Sequence, residues 1–214
     1  INITLKRENF ISTIENINAQ SINFGSSNSG KNQSIQIEFV SANPTGPLHV
    51  GHGRGAAYGD AIGRILKSSG YEVQKEYYIN DAGRQIDILT ASVFTRIFEE
   101  DLSGYFPKNA YKGSYIFDIA ELFKKKYRPN TLIGYKSLIH NLPHEEEKEI
   151  DELILRIKKT ENDMWSKVKS LALNEVLQTI RADLESFNVS FDNWFSESSL
   201  GDLSDKKSKI STAI

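Results

Sequence analysis

Two histidines separated by two residues stand where a strand pattern passes into a helical pattern. The run from Ser41 to Gly53 reads SANPTGPLHVGHG, and it follows an alternating segment, Ser34 to Ser41, whose apolar residues share one face. A helical pattern then continues from Gly51 to Ser69 and stops at Gly70. The N-terminus of a helix presents unpaired N–H groups and a positive dipole end, and glycines let a ligand approach the backbone. These features predict a site for the phosphates of ATP.

The order of the patterns predicts an α/β fold. Tyr71 to Ile79 reads as a second strand, and Asp81 to Glu100 reads as a second helix with Asp81 as its N-cap. Strand–helix–strand–helix implies a right-handed βαβ unit with parallel strands, which is the first half of a doubly wound, Rossmann-like nucleotide-binding fold. Beyond residue 101 the patterns are helical, at Ser114 to Tyr127 and from Glu145 to Phe187, and we expect no third strand there.

These patterns divide the chain into four parts. Residues 1–33 are the end of an N-terminal domain and a linker, with a short strand at 1–5, a helix from Arg7 to Ala19 and a boundary loop rich in Ser, Asn and Gly. Residues 34–100 form the first half of the Rossmann-like domain, and residues 101–195 form a helical connective insertion. We expect residues 196–214 to be a disordered tail that includes the basic stretch from Lys206 to Ile210.

Composition excludes several classes of site. The chain has no cysteine, so disulfides, thiolate nucleophiles and cysteine-bound zinc are excluded. The histidine pair has no third ligand at metal spacing, and we therefore predict no metal site in the protein itself. No apolar run reaches the length of a membrane span, and no signal peptide is visible. We expect a cytoplasmic protein that does not contact a membrane.

Several segments of the sequence resemble those of one enzyme family. His49-Val50-Gly51-His52 resembles the His-x-Gly-His signature of class I aminoacyl-tRNA synthetases. The full run EFVSANPTGPLHVGH, from Glu38 to His52, resembles bacterial arginyl-tRNA synthetases, as do GRGAAYGD at 53–60, YYINDAGRQI at 77–86 and FDNWFSE at 191–197. The likeness is strong over residues 34–100 and looser over 101–200.

The resemblance implies a two-step ligase reaction. Arginine attacks the α-phosphate of ATP to give arginyl-adenylate and pyrophosphate, and the arginyl group then passes to tRNA(Arg). Mg²⁺ accompanies ATP, and there is no tightly bound cofactor. The catalytic residues implied are His49 and His52; the ATP-binding residues are His49, Gly51, His52 and Gly53; the arginine-binding residues are Glu38 and Asn43. The signature motif comprises Ala42, Asn43, Pro44, Thr45, Gly46, Pro47, Leu48, His49, Val50, Gly51 and His52.

The resemblance also implies that the chain is a fragment. The family's second signature loop and its anticodon-binding domain are expected beyond residue 214, so we expect the fragment to be inactive. We also expect the longer protein to be a monomer. Glu38 has a second interpretation, since a carboxylate on a half-exposed edge strand needs no ligand to balance its charge. Two other functions remain open. The first alternative is a different nucleotidylyltransferase that shares the two-histidine turn. The second is a non-catalytic tRNA-binding module.

Overall fold

The computed structural model describes residues 3–129, 134–201 and 208–213. Its strands are β1 (Ser34–Glu38), β2 (Glu72–Ile79) and β3 (Asn193–Ser196). Its α-helices are α1 (Arg7–Gln20), α2 (Val50–Ser68), α3 (Arg84–Ile97), α4 (Ser114–Tyr127), α5 (Lys136–Ile139), α6 (Glu146–Thr160), α7 (Asn162–Ser186) and α8 (Lys209–Ala213). Short 3-10 helices lie at Ser21–Asn23 and Glu197–Leu200. Within these ranges no helix combines the length and the apolar character needed to span a membrane.

The strands form one parallel sheet in the order β1-β2-β3. Ser34 pairs with Glu72 and Glu38 with Glu76, while Glu76 also pairs with Asn193 on its other side. The unit β1-α2-β2 is the predicted βαβ crossover, and the sheet grows in one direction from β1. This arrangement confirms the expected α/β class and the first half of a doubly wound fold.

The third strand corrects the sequence analysis, which expected only helices between residues 101 and 195. β3 is four residues long, and all four are half-buried, so it shows neither the length nor the alternation by which a strand is recognised. Contacts distant in sequence define it. The backbone amide of Lys75 donates to the Asp192 carboxylate at 2.8 Å, and the side-chain amide of Asn193 donates to the Glu76 carboxylate.

The helical part contains most of the core. α3 packs against α4, α6 and α7, and it is buried over nearly its whole length. Its buried hydroxyls, Thr90, Ser92 and Thr95, each donate to a backbone carbonyl one turn earlier, which satisfies them without a partner from another helix. The long pattern from residue 145 to 187 is two helices, α6 and α7, which meet at Glu161.

Both chain ends differ in part from the expectations. Residues 3–5 have no regular structure where a strand was predicted for 1–5; residues 1 and 2 lie outside the described residues. The predicted helix α1 is present. The segment expected to be disordered from 196 onwards begins with the end of β3 and a 3-10 helix, and α8 follows later. Lys206 and Lys207 of the basic stretch lie outside the described residues.

Asp81 does not cap α3, which begins at Arg84 with Gly83 as its N-cap. The Asp81 carboxylate instead accepts hydrogen bonds from the Ser198 amide at 2.8 Å and from the Ser196 hydroxyl. It therefore joins the end of β2 to the 3-10 helix after β3. The sequence pattern is compatible with a cap because Asp favours both environments.

Candidate active site

The loop between β1 and α2, residues 39–48, carries most of the predicted motif and has a strained start. Val40 and Ser41 have φ angles of 65° and 39°, in the left-handed region that side chains disfavour, and a β-branched residue is rare there. This turn ends β1 at Glu38, three residues before the predicted end. A backbone of this kind persists only where its surroundings hold it, and such strain is concentrated at functional sites.

Two residues of β2 hold the first part of this loop. The Tyr78 amide donates to the Ser41 hydroxyl at 3.0 Å, and the Tyr77 hydroxyl donates to the Ala42 carbonyl at 3.1 Å. Tyr77 is fully buried, and burial raises the pKa of its hydroxyl to about 12. The hydroxyl therefore stays protonated and remains a donor at neutral pH.

The two histidines form the first turn of α2. His49 is the N-cap, and its Nδ1 accepts the Gly51 amide at 3.2 Å, while the Nδ1 of His52 accepts the His49 amide at 3.2 Å. The rings are stacked with 3.8 Å between their centroids. Because each neutral ring uses Nδ1 as an acceptor, its proton is on Nε2, and the Nε2–H is the donor offered to an outside group.

The environment of His52 favours the neutral form. Partial burial, followed by the neighbouring His49, lowers the pKa of His52 from its usual 6.5. His52 is therefore suited to donate a hydrogen bond to an anion from Nε2 while the helix start supplies the positive potential.

The glycines of the motif serve different purposes. A Cβ on Gly53 would meet no atom within 4 Å, so the backbone there is open to an approaching ligand. A Cβ on Gly51 would lie 3.0 Å from the ring of His49, so Gly51 makes room for the imidazole. Farther along α2, a Cβ on Gly59 would lie 2.2 Å from the ring of Phe39, which shows how closely the helix packs on the loop.

A cleft of about 390 Å³ joins the loop to the histidines. Six of its lining residues belong to the predicted signature motif, and the structure brings together three that were also predicted to bind substrate: Asn43, His49 and His52. The cleft is lined by Asn43, Thr45, Gly46, Pro47, His49, His52, Tyr111 and Tyr115. Sequence reasoning missed the two tyrosines, which lie some 60 residues downstream in a stretch read as loop and helix. Nothing local distinguishes them from other aromatic residues.

Glu38 lies outside this lining. It is the last residue of β1, its side chain is exposed, and β1 is an edge strand among the described residues, so no buried charge has to be balanced. Glu38, Asp81 and Glu197 each lie at or just after the C-terminal end of a strand, at the same edge of the sheet. Burial and then Glu197, Asp81 and Glu38 raise the pKa of Tyr78, which shows a negative potential at this edge of the sheet.

The described residues contain no group of three or more His, Asp and Glu side chains placed to hold a metal ion. The polar groups of the cleft are amides, hydroxyls and imidazoles, which suit hydrogen bonding to a phosphate or a carboxylate more than they suit a metal.

Comparisons with known proteins identify the family to which the chain is similar. The family described as tRNA synthetases class I (R), catalytic domain, matches residues 13–205. The arginine–tRNA ligase of Thioalkalivibrio sulfidiphilus is 44% identical over 212 residues, which cover 94% of this chain and 36% of that protein. That of Legionella pneumophila (strain Corby) is 46% identical over 187 residues, which cover 83% of this chain and 32% of that protein.

A solved structure extends the likeness to the fold. A crystal structure described as an arginyl t-RNA synthetase from Campylobacter jejuni superposes with a TM-score of 0.67 at 29% identity, covering 92% of this chain and 38% of that one. The chain spans about a third of the length of the curated relatives it matches. The match to one family separates it from the nucleotidylyltransferases kept as an alternative. The chain belongs to the family of class I tRNA synthetases (R), as part of their catalytic domain.

Proposed function

We propose that this chain supplies the first half of the active site of an arginine–tRNA ligase. The whole reaction activates arginine with ATP to arginyl-adenylate and then transfers it to tRNA(Arg). The observation that carries the proposal is the pair of stacked imidazoles at the start of α2, both in the lining of the cleft and each with Nδ1 accepting from a backbone amide, which leaves Nε2–H as its donor.

His49 and His52 would bind the phosphates of ATP and stabilise the charge that develops during adenylate formation. Neutral Nε2–H donors and the dipole of α2 act together on the same anion. Loss of one preorganised donor of this kind raises a reaction barrier by about 3 kcal/mol. Gly53 leaves the backbone open for the nucleotide, Gly51 makes room for the imidazole of His49 in the same turn, and Mg²⁺ would arrive with ATP.

Arginine would bind between the loop and the carboxyl ends of the strands. Glu38 offers an exposed carboxylate for a cationic ligand, and Asn43 offers an amide at the edge of the cleft. The negative potential at Tyr78, to which Glu38, Asp81 and Glu197 contribute, favours a cationic amino acid over a neutral one. This gives a physical reason for arginine as the substrate.

The whole ligase reaction would need a longer protein, because the curated relatives are about three times as long as their match to this chain. We expect the 214-residue chain alone to form no adenylate. A pyrophosphate-exchange rate near that of an ordinary synthetase would contradict this. The monomeric state of the longer protein and its cytoplasmic location stay predictions.

The binding part of the proposal is testable on the chain itself. In calorimetry with a non-hydrolysable arginyl-adenylate analogue, we expect wild type to bind and His52→Ala to bind at least tenfold more weakly. His140→Ala is the matched control, since His140 is exposed and lies outside the cleft. No binding by wild type would make the histidine turn a relic and would favour a non-catalytic tRNA-binding module.

A further inference from the structure

The ring of Tyr115, the second residue of α4, is fitted between two glycines. A Cβ on Gly46 would lie 3.0 Å from the Tyr115 hydroxyl oxygen, and a Cβ on Gly113 would lie 2.2 Å from Cε1 of the same ring. Neither glycine has a φ in the left-handed region. The space taken by the ring, and not the backbone conformation, therefore requires glycine at both positions.

The hydroxyl of Tyr115 reaches the signature loop. It donates to the carbonyl of Thr45 at 2.6 Å, across 70 residues of sequence. Burial raises the pKa of Tyr115 to about 12, so the hydroxyl remains a donor at any pH where the protein would work. The bond satisfies a carbonyl on the wall of the cleft.

This bond is one of two tyrosine bonds that flank Asn43. The carbonyl of Ala42 accepts from the Tyr77 hydroxyl on one side, and the carbonyl of Thr45 accepts from Tyr115 on the other. The Thr45 amide donates in turn to the Asn43 carbonyl at 2.8 Å. Asn43 is thus placed by a short backbone segment that is held at both ends, and His49 follows Thr45 by four residues.

We propose that Tyr115 is a positioning residue for arginine activation, which fixes the Asn43–Gly46 segment from the connective helix α4. The inference rests on the proposed function, because it assigns a role within that site. Tyr115 acts through the loop: it holds the amide of Asn43 and the start of α2 in the arrangement that the reacting groups need. Small displacements of such groups reduce rates more than they reduce binding.

The test compares variants of the full-length gene product that contains this chain, by arginine-dependent pyrophosphate exchange. For Tyr115→Phe we expect kcat to fall about five- to tenfold, the effect of one lost hydrogen bond, while KM for ATP changes less than twofold. Tyr105→Phe is the matched control. The Tyr105 hydroxyl is also half-buried, and it donates to Glu149 at 2.8 Å, away from the cleft. It should keep the wild-type kcat.

A second variant probes the same contact from the loop. Gly46→Ala places a methyl group against the Tyr115 hydroxyl and should lower kcat at least tenfold. The same change made in Tyr115→Phe should lower kcat by a smaller factor, because the hydrogen bond it would disturb is already absent and only ring carbons, the nearest at 3.1 Å, oppose the methyl group. The losses of the two variants are then not multiplicative, which is expected for residues in contact. A merely structural role would instead lower the melting temperature with kcat unchanged.

The outcomes separate the two proposals. If wild type is active and Tyr115→Phe keeps its kcat, the positioning role is overturned and the proposed function stands. Equal losses of kcat in Tyr115→Phe and Tyr105→Phe also overturn it, since any lost tyrosine bond would then have the same effect. A wild-type enzyme that exchanges no pyrophosphate with arginine overturns the proposed function, and this inference with it.

Discussion

The molecule separates packing from chemistry. The sheet unit (β1, α2, β2, β3 and the signature loop) presents Glu38, Asn43 and His49 to solvent. The helical unit (α3, α4, α6 and α7 with their connections) contains most of the core. Among the largest fully buried side chains in the part of the chain that the structure describes, only Tyr77 belongs to the sheet unit. The others are in the helical unit: Phe94, Phe98, Phe123, Ile86, Leu89, Leu102, Ile116, Ile150, Leu153, Ile157 and Ile180.

The difference shows two ways of fixing a side chain. In the helical unit, close packing fixes it; in the sheet unit, hydrogen bonds from tyrosines fix the backbone that carries it. Substitutions should therefore separate by unit. Core changes in the helical unit should lower the free energy of unfolding, and changes at the cleft should lower binding and rate with a smaller effect on stability.

The largest effect is expected in the helical core. Phe94 is fully buried on α3 and packs against the rings of Phe98 and Tyr135. Phe94→Ala should lower the free energy of unfolding by about 3–5 kcal/mol, because it removes apolar burial and leaves a cavity. Urea denaturation followed by circular dichroism measures this.

The control for that change is Phe10→Ala on α1, where the ring is 56% exposed. It should shift the free energy of unfolding by no more than about 0.5 kcal/mol. Equal losses for the two phenylalanines would show that the helical unit is not where stability resides.

The next effect is on catalysis. His49→Asn keeps a side chain that caps α2 well, but it removes the Nε2 donor. In the full-length gene product, the rate of adenylate formation should fall about a hundredfold or more, with a change of less than about 1 kcal/mol in the free energy of unfolding. Pyrophosphate exchange and urea denaturation together measure the two. A variant that loses stability and keeps its rate would reverse the division between the units.

Two glycines of α2 offer a smaller and more local test. Gly59→Ala places a Cβ 2.2 Å from the ring of Phe39 and should destabilise by about 1–3 kcal/mol. Gly55→Ala meets no atom within 4 Å and should stabilise by about 0.5–1 kcal/mol, because alanine is the better helix former. Opposite signs in thermal unfolding would confirm that α2 is pressed onto the loop at Gly59 and not at Gly55. A stabilised Gly59→Ala would show that Phe39 is free to move.

Local patterns were enough to predict the βαβ unit, since the alternation in β1, the period of α2 and the Gly70 stop all lie within single elements. For Asn43 and the two histidines the family resemblance supplied the assignment, and one short loop brings them to the same cleft; local patterns alone did not. They were not enough for β3, which exists through pairing with residues more than a hundred positions away. Contacts between residues distant in sequence also explain why Tyr115 was missed and why Asp81 was expected to cap α3, when it bonds to Ser198.

The smallest effect is a pH dependence that belongs to the sheet unit alone. Burial and then His49 lower the folded-state pKa of His52 below 6.5, while in the unfolded chain it keeps the ordinary value. Between the two values the unfolded chain binds more protons than the folded one. The contribution of His52 to stability is therefore complete above about pH 6.5 and is lost as the pH falls through that value toward the folded pKa.

Protonation also has a geometric consequence, because an imidazolium has no acceptor at Nδ1 and the His49 amide then loses its partner. An NMR titration should give a His52 midpoint below 6.5, and unfolding at pH 5.5 should need less urea than at pH 7.5. In His52→Asn this difference should shrink, since the titrating group is gone. A midpoint at or above 6.5 would mean that the folded state favours the charged ring. His52 would then hold a charged imidazolium at the histidine turn in place of a neutral donor.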